Sequence, residues 1–212
     1  MSIFSVQEER EFSVVVNFSD VCNLSCWHCF NRGVKREVVS EERLEKYKRL
    51  GVVWVLVVGR EPCLYEQQLF EFCKLCKDKG FLVRVDTNGT FPDVVERLLD
   101  FQLIDGLAVD VKIPFCGPFG KGDFERFAKI LFSVDFPFRE AFERVMWYSV
   151  VLTETLRMVS GRKDELKSLR LRTVKYPALT HEDLMGIKEC LRRVGLDKYW
   201  KVLPFVECPD KL

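Results

Sequence analysis

Apolar and β-branched residues recur along the chain in short runs that alternate with amphipathic stretches. The first run is FSVVVNF at residues 12–18, and the second, VVWVLVV at residues 52–58, is apolar throughout. A continuous apolar run of this length is typical of a strand buried on both faces. Runs of this kind predict strands at residues 12–18, 52–58, 81–85, 106–111, 169–174 and 199–206.

Stretches with helix start and stop signals separate these strands. Ser40 is a favourable N-cap and is followed by Glu41 and Glu42, while Gly51 is suited to the left-handed conformation that ends a helix. Thr180 and Gly195 delimit a second helix in the same way. Further helices are predicted near residues 66–78, 92–101 and 123–133. This regular alternation predicts parallel strands joined by crossover helices.

The connection over residues 115–167 is longer than one crossover helix requires. Near-helical spacing is kept there by a series of apolar residues, namely Phe138, Phe142, Val145, Met146, Leu152, Leu156 and Val159. This spacing predicts one long amphipathic helix. Its apolar side either covers the core or forms a wall for docking another protein.

The number of strand–helix units limits the possible architectures. Six units in 212 residues are fewer than the eight of a closed barrel, which typically takes about 250 residues. We therefore expect an α/β fold with a partial (β/α)6 TIM-type barrel of parallel strands and a helical insertion, at about residues 115–167, before the fifth strand. A doubly wound sheet would give much the same pattern. Because no repeat or linker divides the chain, residues 1–212 are expected to form a single domain.

Charge and hydropathy exclude several classes of partner. The chain has 33 basic and 32 acidic side chains, so no net field attracts it to nucleic acid or to an anionic membrane. No apolar run approaches the roughly 20 residues of a membrane span, and the first residues lack the order of a secretion signal. We expect a cytoplasmic protein with neither a nucleic-acid nor a membrane partner.

Three of the nine cysteines are clustered, in the sequence CNLSCWHC. Cys22, Cys26 and Cys29 follow the first predicted strand directly, and barrel active sites assemble at the carboxyl ends of parallel strands. Thiolates are suited to iron–sulfur clusters. Three cysteines leave one iron of a four-iron cluster without a protein ligand, so that this iron can bind a substrate.

Zinc is the alternative interpretation of this loop, with His28 or a distant cysteine as the fourth ligand. His28 adjoins Cys29, which makes it difficult for both side chains to bind one ion. A structural zinc site would be closed, whereas the CxxxCxxC spacing supplies only three thiols.

The remaining cysteines are expected to be structural. Cys63, Cys116, Cys190 and Cys208 are solitary in the sequence. Cys73 and Cys76 lie three residues apart on one face of a predicted helix, where we expect one to pack in the core and the other to have no particular role. The sequence predicts no second cluster.

The cysteine loop resembles the signature of the radical S-adenosylmethionine superfamily, in which an aromatic ring precedes the last cysteine, as His28 does here. Other motifs resemble the family's in order and at predicted strand ends: Gly59-Arg60-Glu61-Pro62, Asp86-Thr87-Asn88-Gly89, Asp110-Val111-Lys112 and Arg172-Thr173. The chain is most similar to small activating enzymes of glycyl radical enzymes, in particular the activase type of anaerobic ribonucleotide reductase.

The resemblance implies a 4Fe-4S cluster held by Cys22, Cys26 and Cys29, which are the expected catalytic and metal-binding residues. It also implies bound S-adenosylmethionine. The expected cofactor-binding residues are His28, Gly59, Arg60, Glu61, Asp86, Asn88, Asp110, Lys112 and Arg172. Glu61 would receive the cofactor's ammonium group.

Charged residues at the predicted strand ends are suited to the cofactor's carboxylate and to a neighbouring cation. Lys112 and Arg172 would suit its carboxylate, although they can equally form ordinary ion pairs with Asp86 and Asp110. These two aspartates should converge, and the family implies a monovalent cation beside them.

The resemblance further implies reductive cleavage of S-adenosylmethionine to a 5'-deoxyadenosyl radical. The expected partners are a glycyl radical enzyme as protein substrate and a low-potential electron donor. Two alternatives stay open: a radical enzyme acting on a small molecule or modified nucleoside, and a catalytically degenerate metal-binding module. The second alternative arises because Arg60 replaces a glycine of the family, where a long side chain either crowds the cofactor or points away.

Overall fold

The computed structural model describes residues 11–27 and 29–206, which form one open sheet of six parallel strands flanked by helices. The strands are β1 (Ser13–Ser19), β2 (Trp54–Gly59), β3 (Leu82–Thr87), β4 (Gly106–Asp110), β5 (Ser168–Lys175) and β6 (Trp200–Pro204). They lie side by side in sequence order, and every neighbouring pair is parallel. This order confirms the partial barrel. A doubly wound sheet would reverse its strand order part of the way along.

The helices are α1 (Glu41–Arg49), α2 (Glu66–Asp78), α3 (Pro92–Asp100), α4 (Lys121–Phe132), α5 (Phe138–Arg162) and α6 (His181–Arg193). The predicted caps are present: the Ser40 hydroxyl accepts from the backbone N–H of Arg43, and Thr180 forms a capping box with Asp183. Among these described helices, none combines the length and the apolar character of a membrane span.

Helices α4 and α5 make up the insertion before β5. α5 buries the face that carries Val145, Leu152 and Val159. Phe138 and Phe142, which belong to the same predicted stripe, are instead 40% and 41% exposed. The apolar residues of α5 thus lie on two faces, of which one covers the core as expected.

Both cysteines of α2 are core residues. Cys73 and Cys76 are buried completely, so the expectation that one of them has no packing role is wrong. Positions three residues apart share one helix face, and this whole face of α2 lies within the apolar core. Cys63 is buried too, in agreement with a packing role.

Cys116 and Cys190, which are solitary in the sequence, form a disulfide in the structure, with Cα atoms 5.6 Å apart. Cys116 lies on the connection from β4 to α4, and Cys190 lies on α6. Their separation of 74 residues gives no sign of this contact in the sequence. Cys208 lies outside the described residues.

Candidate active site

A cavity of about 510 Å³ lies at the carboxyl ends of the strands. The cysteine loop forms one side of its wall, and residues at or near the carboxyl ends of β2, β3, β4, β5 and β6 form the rest. Its lining includes Cys22, Cys26, Cys29, Gly59, Arg60, Asp86, Asn88, Asp110, Lys112 and Arg172. Of the predicted site residues, Glu61 is absent from this lining, and His28 lies outside the described residues.

The cysteine loop is attached to the last turn of α4. The backbone N–H of Ser25 donates to the carbonyl of Leu131 at 3.1 Å, and that of Trp27 donates to Ile130 at 3.4 Å. The Ser25 hydroxyl donates to the Phe132 carbonyl at 2.7 Å. The last carbonyls of a helix have no partner within the helix, so they are free to accept these bonds. The insertion therefore fixes the loop at the mouth of the barrel.

Cys22 and Cys26 lie in an environment that favours the neutral thiol when no metal is bound. Burial raises the pKa of Cys26 to about 11, and although nearby Lys112 lowers it, Cys22 and Cys29 raise it further. Burial also raises the pKa of Cys22, against the lowering effect of the Leu24 N–H. Metal binding must therefore displace protons from these two residues.

The three thiols suit a cluster better than a single ion. All three are free cysteines that line one cavity. Nowhere in residues 11–27 and 29–206 do three histidine, cysteine or carboxylate side chains come close enough to hold one metal ion. A zinc ion needs its thiolates within about 2.3 Å of one point, whereas a cubane cluster spreads them over several irons. The donor set of three free thiols on one cavity fits the 4Fe-4S cluster.

Five charged side chains alternate in sign across β3, β4 and β5. Arg172 lies between the two predicted carboxylates: its Nη1 is 2.7 Å from Asp86 Oδ2, and its Nε is 2.9 Å from Asp110 Oδ1. Arg84 Nε adds a bond of 2.8 Å to Asp86, and Lys112 Nζ lies 3.3 Å from Asp110 Oδ2. We call this series the charge ladder. The aspartates converge as expected, with the Arg172 guanidinium between them; a separate monovalent cation stays a prediction.

Three members of the charge ladder, Asp110, Lys112 and Arg172, stabilise one another's charged forms. Burial raises the pKa of Asp110, but Arg172 and Lys112 outweigh it and lower that pKa to about 2. For the two cations both effects have the opposite sign. Burial lowers the pKa of Lys112 and of Arg172, but the Asp110 carboxylate raises both pKa values above their ordinary values. The cavity thus holds a permanent ammonium group, on Lys112, beside the cysteine loop.

Glu61 does not contact the cavity. Its fully buried carboxylate accepts hydrogen bonds from the Cys63 N–H at 3.1 Å, the Thr87 hydroxyl at 2.8 Å and the Asn88 N–H at 2.7 Å. Burial raises the pKa of Glu61, and these hydrogen bonds lower it. These bonds direct the carboxylate away from the cavity, and its expected contact with a cofactor ammonium group stays a prediction. Glu61 joins the end of β2 to the loop after β3.

Gly59 and Arg60 form the part of the wall next to β1. Gly59 has φ of +133°, and a Cβ atom there would overlap the carbonyl oxygen of Ser19, so only glycine fits. The Arg60 side chain lines the cavity, and its Nη1 donates to the Asp20 carbonyl at 3.4 Å. Its Nε is buried and has no hydrogen-bond partner. The arginine is thus a residue of the cavity wall whose buried Nε–H is unsatisfied.

Sequence reasoning missed several residues of the site. Asn23 and Thr90 form hydrogen bonds with Asn88, and the Tyr148 hydroxyl accepts from the Lys112 N–H at 3.0 Å. Asn23 lies between two predicted ligands, which was a usable signal. Tyr148 is on α5, 36 residues after Lys112, and the sequence gives no sign of this contact.

Comparison with known proteins relates this chain to one family. The profile of the radical SAM superfamily matches residues 16–131, more than half of the chain. A protein of Methanocaldococcus jannaschii with a provisional name as a glycyl-radical enzyme activating enzyme is 38% identical over 119 residues, which are 54% of this chain and 49% of that protein. A 7-carboxy-7-deazaguanine synthase of the same organism is 33% identical over 70 residues, covering 33% of this chain and 26% of that enzyme. The chain thus spans half or less of these relatives.

Solved structures are similar in fold. TYW1 with a lysine–pyruvate adduct bound gives a TM-score of 0.57 at 16% identity, over 92% of this chain and 65% of that one. The structure of anSMEcpe with bound AdoMet gives 0.55 at 15% identity, over 91% of this chain and 50% of that one. At these identities the likeness concerns the fold alone.

Proposed function

Since this chain belongs to the radical S-adenosylmethionine superfamily, we propose that it cleaves S-adenosylmethionine reductively at a 4Fe-4S cluster held by Cys22, Cys26 and Cys29. The observation that carries the proposal is the shared cavity, in which three free thiols lie beside the charge ladder. When bound, the cluster supplies the electron that divides the cofactor into methionine and a 5'-deoxyadenosyl radical.

The chain's own residues bind and orient the cofactor in this proposal. Lys112 places an ammonium group in the cavity, where it is suited to the cofactor's carboxylate. Arg172 already forms ion pairs with Asp86 and Asp110. Its main role is therefore to position these two aspartates, and binding of the ligand is secondary. Glu61 has an indirect role: its carboxylate accepts a hydrogen bond from the Asn88 backbone N–H and so holds the loop that carries Asn88.

We further propose that the radical is transferred to a glycine of a partner enzyme, which makes this protein a glycyl-radical enzyme activase. The 38% identity to the M. jannaschii protein with that provisional name supports this role. The open side of the barrel supports it too, because Leu203 of β6 lines the cavity and is exposed. A segment of a large substrate has room to approach there.

Cofactor cleavage is tested on anaerobically reconstituted protein with dithionite and S-adenosylmethionine. We expect about four irons per chain and formation of 5'-deoxyadenosine, measured by mass spectrometry. Cys26→Ser should abolish both. Cys63→Ser is the matched control, because this free cysteine lies outside the cavity lining, and it should retain both. Zinc without iron or sulfide in the purified protein, or a loaded protein that forms no 5'-deoxyadenosine, contradicts the proposal.

The activase role needs a separate experiment. Incubation with a glycyl radical enzyme from the same genome should produce the doublet of a glycyl radical in the EPR spectrum. The likeness to 7-carboxy-7-deazaguanine synthases favours a small-molecule substrate as the second candidate. Turnover that depends on a small heterocycle, with no radical on any candidate partner, would favour that candidate.

A further inference from the structure

We infer that Asn88 is a positioning residue for Cys22: its side-chain N–H donates to the Cys22 sulfur and thereby raises the reduction potential of the bound cluster. This inference rests on the proposed function, because it concerns the cluster that Cys22 would hold. Asn88 Nδ2 lies 3.5 Å from Cys22 Sγ and 2.8 Å from Asn23 Oδ1.

The hydrogen-bond network determines which end of the Asn88 amide faces the sulfur. The backbone N–H of Thr90 lies 2.9 Å from the other amide atom of Asn88. A backbone N–H can only donate, so that atom is the carbonyl oxygen. The atom that faces Cys22 must then be the nitrogen, which carries two hydrogens. One is available to Asn23 and the other to the sulfur.

Two further bonds agree with this orientation. The Thr90 hydroxyl lies 2.6 Å from the same Asn88 oxygen, so it donates to it. The hydroxyl oxygen is then free to accept from Asn23 Nδ2 at 2.8 Å, which leaves Asn23 Oδ1 facing the Asn88 nitrogen. The side chains of Asn23, Asn88 and Thr90 thus form a closed ring of hydrogen bonds with one consistent direction.

Asn88 is held firmly enough to keep this position. Its side chain is 4% exposed, and its backbone N–H donates to Glu61 at 2.7 Å. Both the backbone and the amide group are therefore fixed by buried partners. A rigid buried donor loses little conformational entropy when it forms its bond to the sulfur.

A donor aimed at a ligand sulfur stabilises the more negative state of the cluster. Cys22 Sγ already accepts from the Leu24 N–H at 3.3 Å, and Asn88 adds a second donor. Hydrogen bonds to sulfur are among the factors that set the potential of an iron–sulfur cluster. Reduction adds negative charge, which both N–H groups stabilise, so removal of the Asn88 amide should make reduction harder.

The test is a redox titration of the reconstituted protein, monitored by EPR without S-adenosylmethionine. In Asn88→Leu, which is similar in size but has no N–H, we expect the ratio of reduced to oxidised cluster at a fixed potential to fall at least tenfold. This change equals 59 mV for a one-electron couple. Asn88→Asp should shift the potential in the same direction. Asn17→Ala is the control, because it removes an amide that pairs with Glu37, and should leave the potential unchanged.

A second measurement uses the unaltered sequence, so it does not depend on how well the variants load. Protein with ¹⁵N in its asparagine side chains should show an amide proton coupled to the reduced cluster in pulsed EPR. Absence of this coupling, or an unchanged potential in a loaded Asn88 variant, overturns the inference. If the wild-type protein binds no cluster, the proposed function fails with it. If it binds a cluster and cleaves the cofactor, only the inference is at stake.

Discussion

Arg60 is the residue at which this chain departs from the pattern of its family. The guanidinium neither leaves the cavity nor finds an acceptor for its Nε, which is buried and unpaired. A buried donor without an acceptor costs about 1–3 kcal/mol, and an acceptor on a ligand removes that cost. Arg60 therefore stays among the predicted cofactor-binding residues, and its variants test that role.

Arg60→Gly, which restores the family's residue, should accordingly weaken the binding of S-adenosylmethionine by about tenfold, equivalent to roughly 1.4 kcal/mol. Arg60→Lys should have an intermediate effect, because it keeps the charge and loses the Nε–H. Calorimetry under anaerobic conditions measures both. Tighter binding by the glycine variant would show that the arginine crowds the cofactor.

Glu61→Gln should lower the free energy of unfolding by about 1–3 kcal/mol. Three donors converge on the two carboxylate oxygens, and whichever way the glutamine amide lies, its NH₂ group faces at least one of them. Urea denaturation measures the loss. Glu71→Gln, on the exposed side of α2, is the control and should change stability by less than about 0.5 kcal/mol. Equal stability of both variants would refute the role of Glu61.

At this scale the sequence predicted which residues reach the site but not every direction of their side chains. Asp86, Asp110 and Arg172 end parallel strands, so their common edge follows from the topology. The direction of Glu61 depends on hydrogen bonds from Thr87 and Asn88, 26 and 27 residues later. No local pattern encodes such a contact.

Helix α5 packs directly on the loop that follows β3. The Thr155 hydroxyl donates to the Gly89 carbonyl at 2.8 Å. Gly89 has φ of +76°, and a Cβ atom added there would lie 2.7 Å from a Leu152 methyl carbon and 2.8 Å from one of Val109. The insertion therefore supports both the cysteine loop, through α4, and the Asn88 loop, through α5.

Gly89→Ala should destabilise the protein by about 2–5 kcal/mol, the sum of the cost of a left-handed backbone and the cost of overpacking. Gly51→Ala is a matched control: its φ of +77° is nearly the same, but nothing lies within 4 Å of the added Cβ. It should cost only about 1–2 kcal/mol. Urea denaturation gives the loss in the free energy of unfolding for each variant, and the difference between the two losses is the packing contribution. Equal losses would show that α5 moves to accommodate the added methyl group.

Elements with strong local signals were predicted closely, and those shaped by tertiary contacts were not. The helix predicted at residues 66–78 has the bounds of α2, and the predicted caps Ser40 and Thr180 are present. In α5, by contrast, apolar spacing alone did not separate the buried Val145 from the exposed Phe142. Which of these apolar residues is buried depends on the side of α5 against which the rest of the core packs.

The charge ladder connects three strands of the barrel, so its titration affects the whole molecule. The folded-state pKa of Asp110 is about 2, below its ordinary value of 3.8. A group with a depressed folded pKa stabilises the protein above its ordinary pKa, and this contribution is lost as the pH falls through the folded value. Asp110 should therefore contribute fully at neutral pH and progressively less below about pH 3.8.

Asp110→Asn should consequently be less stable than the wild-type protein by a constant amount between pH 7 and pH 5. The gap should narrow only below about pH 3.8, where Asp110 starts to bind its proton in the unfolded chain. Urea denaturation at a series of pH values measures the gap. A gap that closes between pH 7 and pH 5 would mean that Arg172 and Lys112 do not hold this pKa down.

The disulfide between Cys116 and Cys190 closes a large loop across the barrel. A cross-link over about 74 residues contributes about 2–4 kcal/mol, mainly by constraining the unfolded chain. Reduction should therefore lower the Tm of the wild-type protein by several degrees and leave that of Cys190→Ser unchanged. Thiol alkylation followed by mass spectrometry gives the redox state of each sample. Alkylation of both Cys116 and Cys190 in the untreated protein would contradict the bond.

On the scale of the whole molecule, the alternation and number of elements predicted the architecture before any coordinates. They did not separate a partial barrel from a doubly wound sheet, because the order of the strands in space is not written in their order along the chain. The pairing of Cys116 with Cys190 could not be predicted for a similar reason, because the sequence does not show which distant residues meet in space.

The hydrogen bonds from the cysteine loop to α4 limit how far this architecture can be shortened. A truncated protein ending after Lys112 would keep all three cysteines and most cofactor-binding residues. It would nevertheless leave the N–H groups of Ser25 and Trp27 without the Leu131 and Ile130 carbonyls. A minimal enzyme designed from this chain therefore has to extend at least to Phe132, although none of the described residues between Lys112 and Phe132 lines the cofactor cavity.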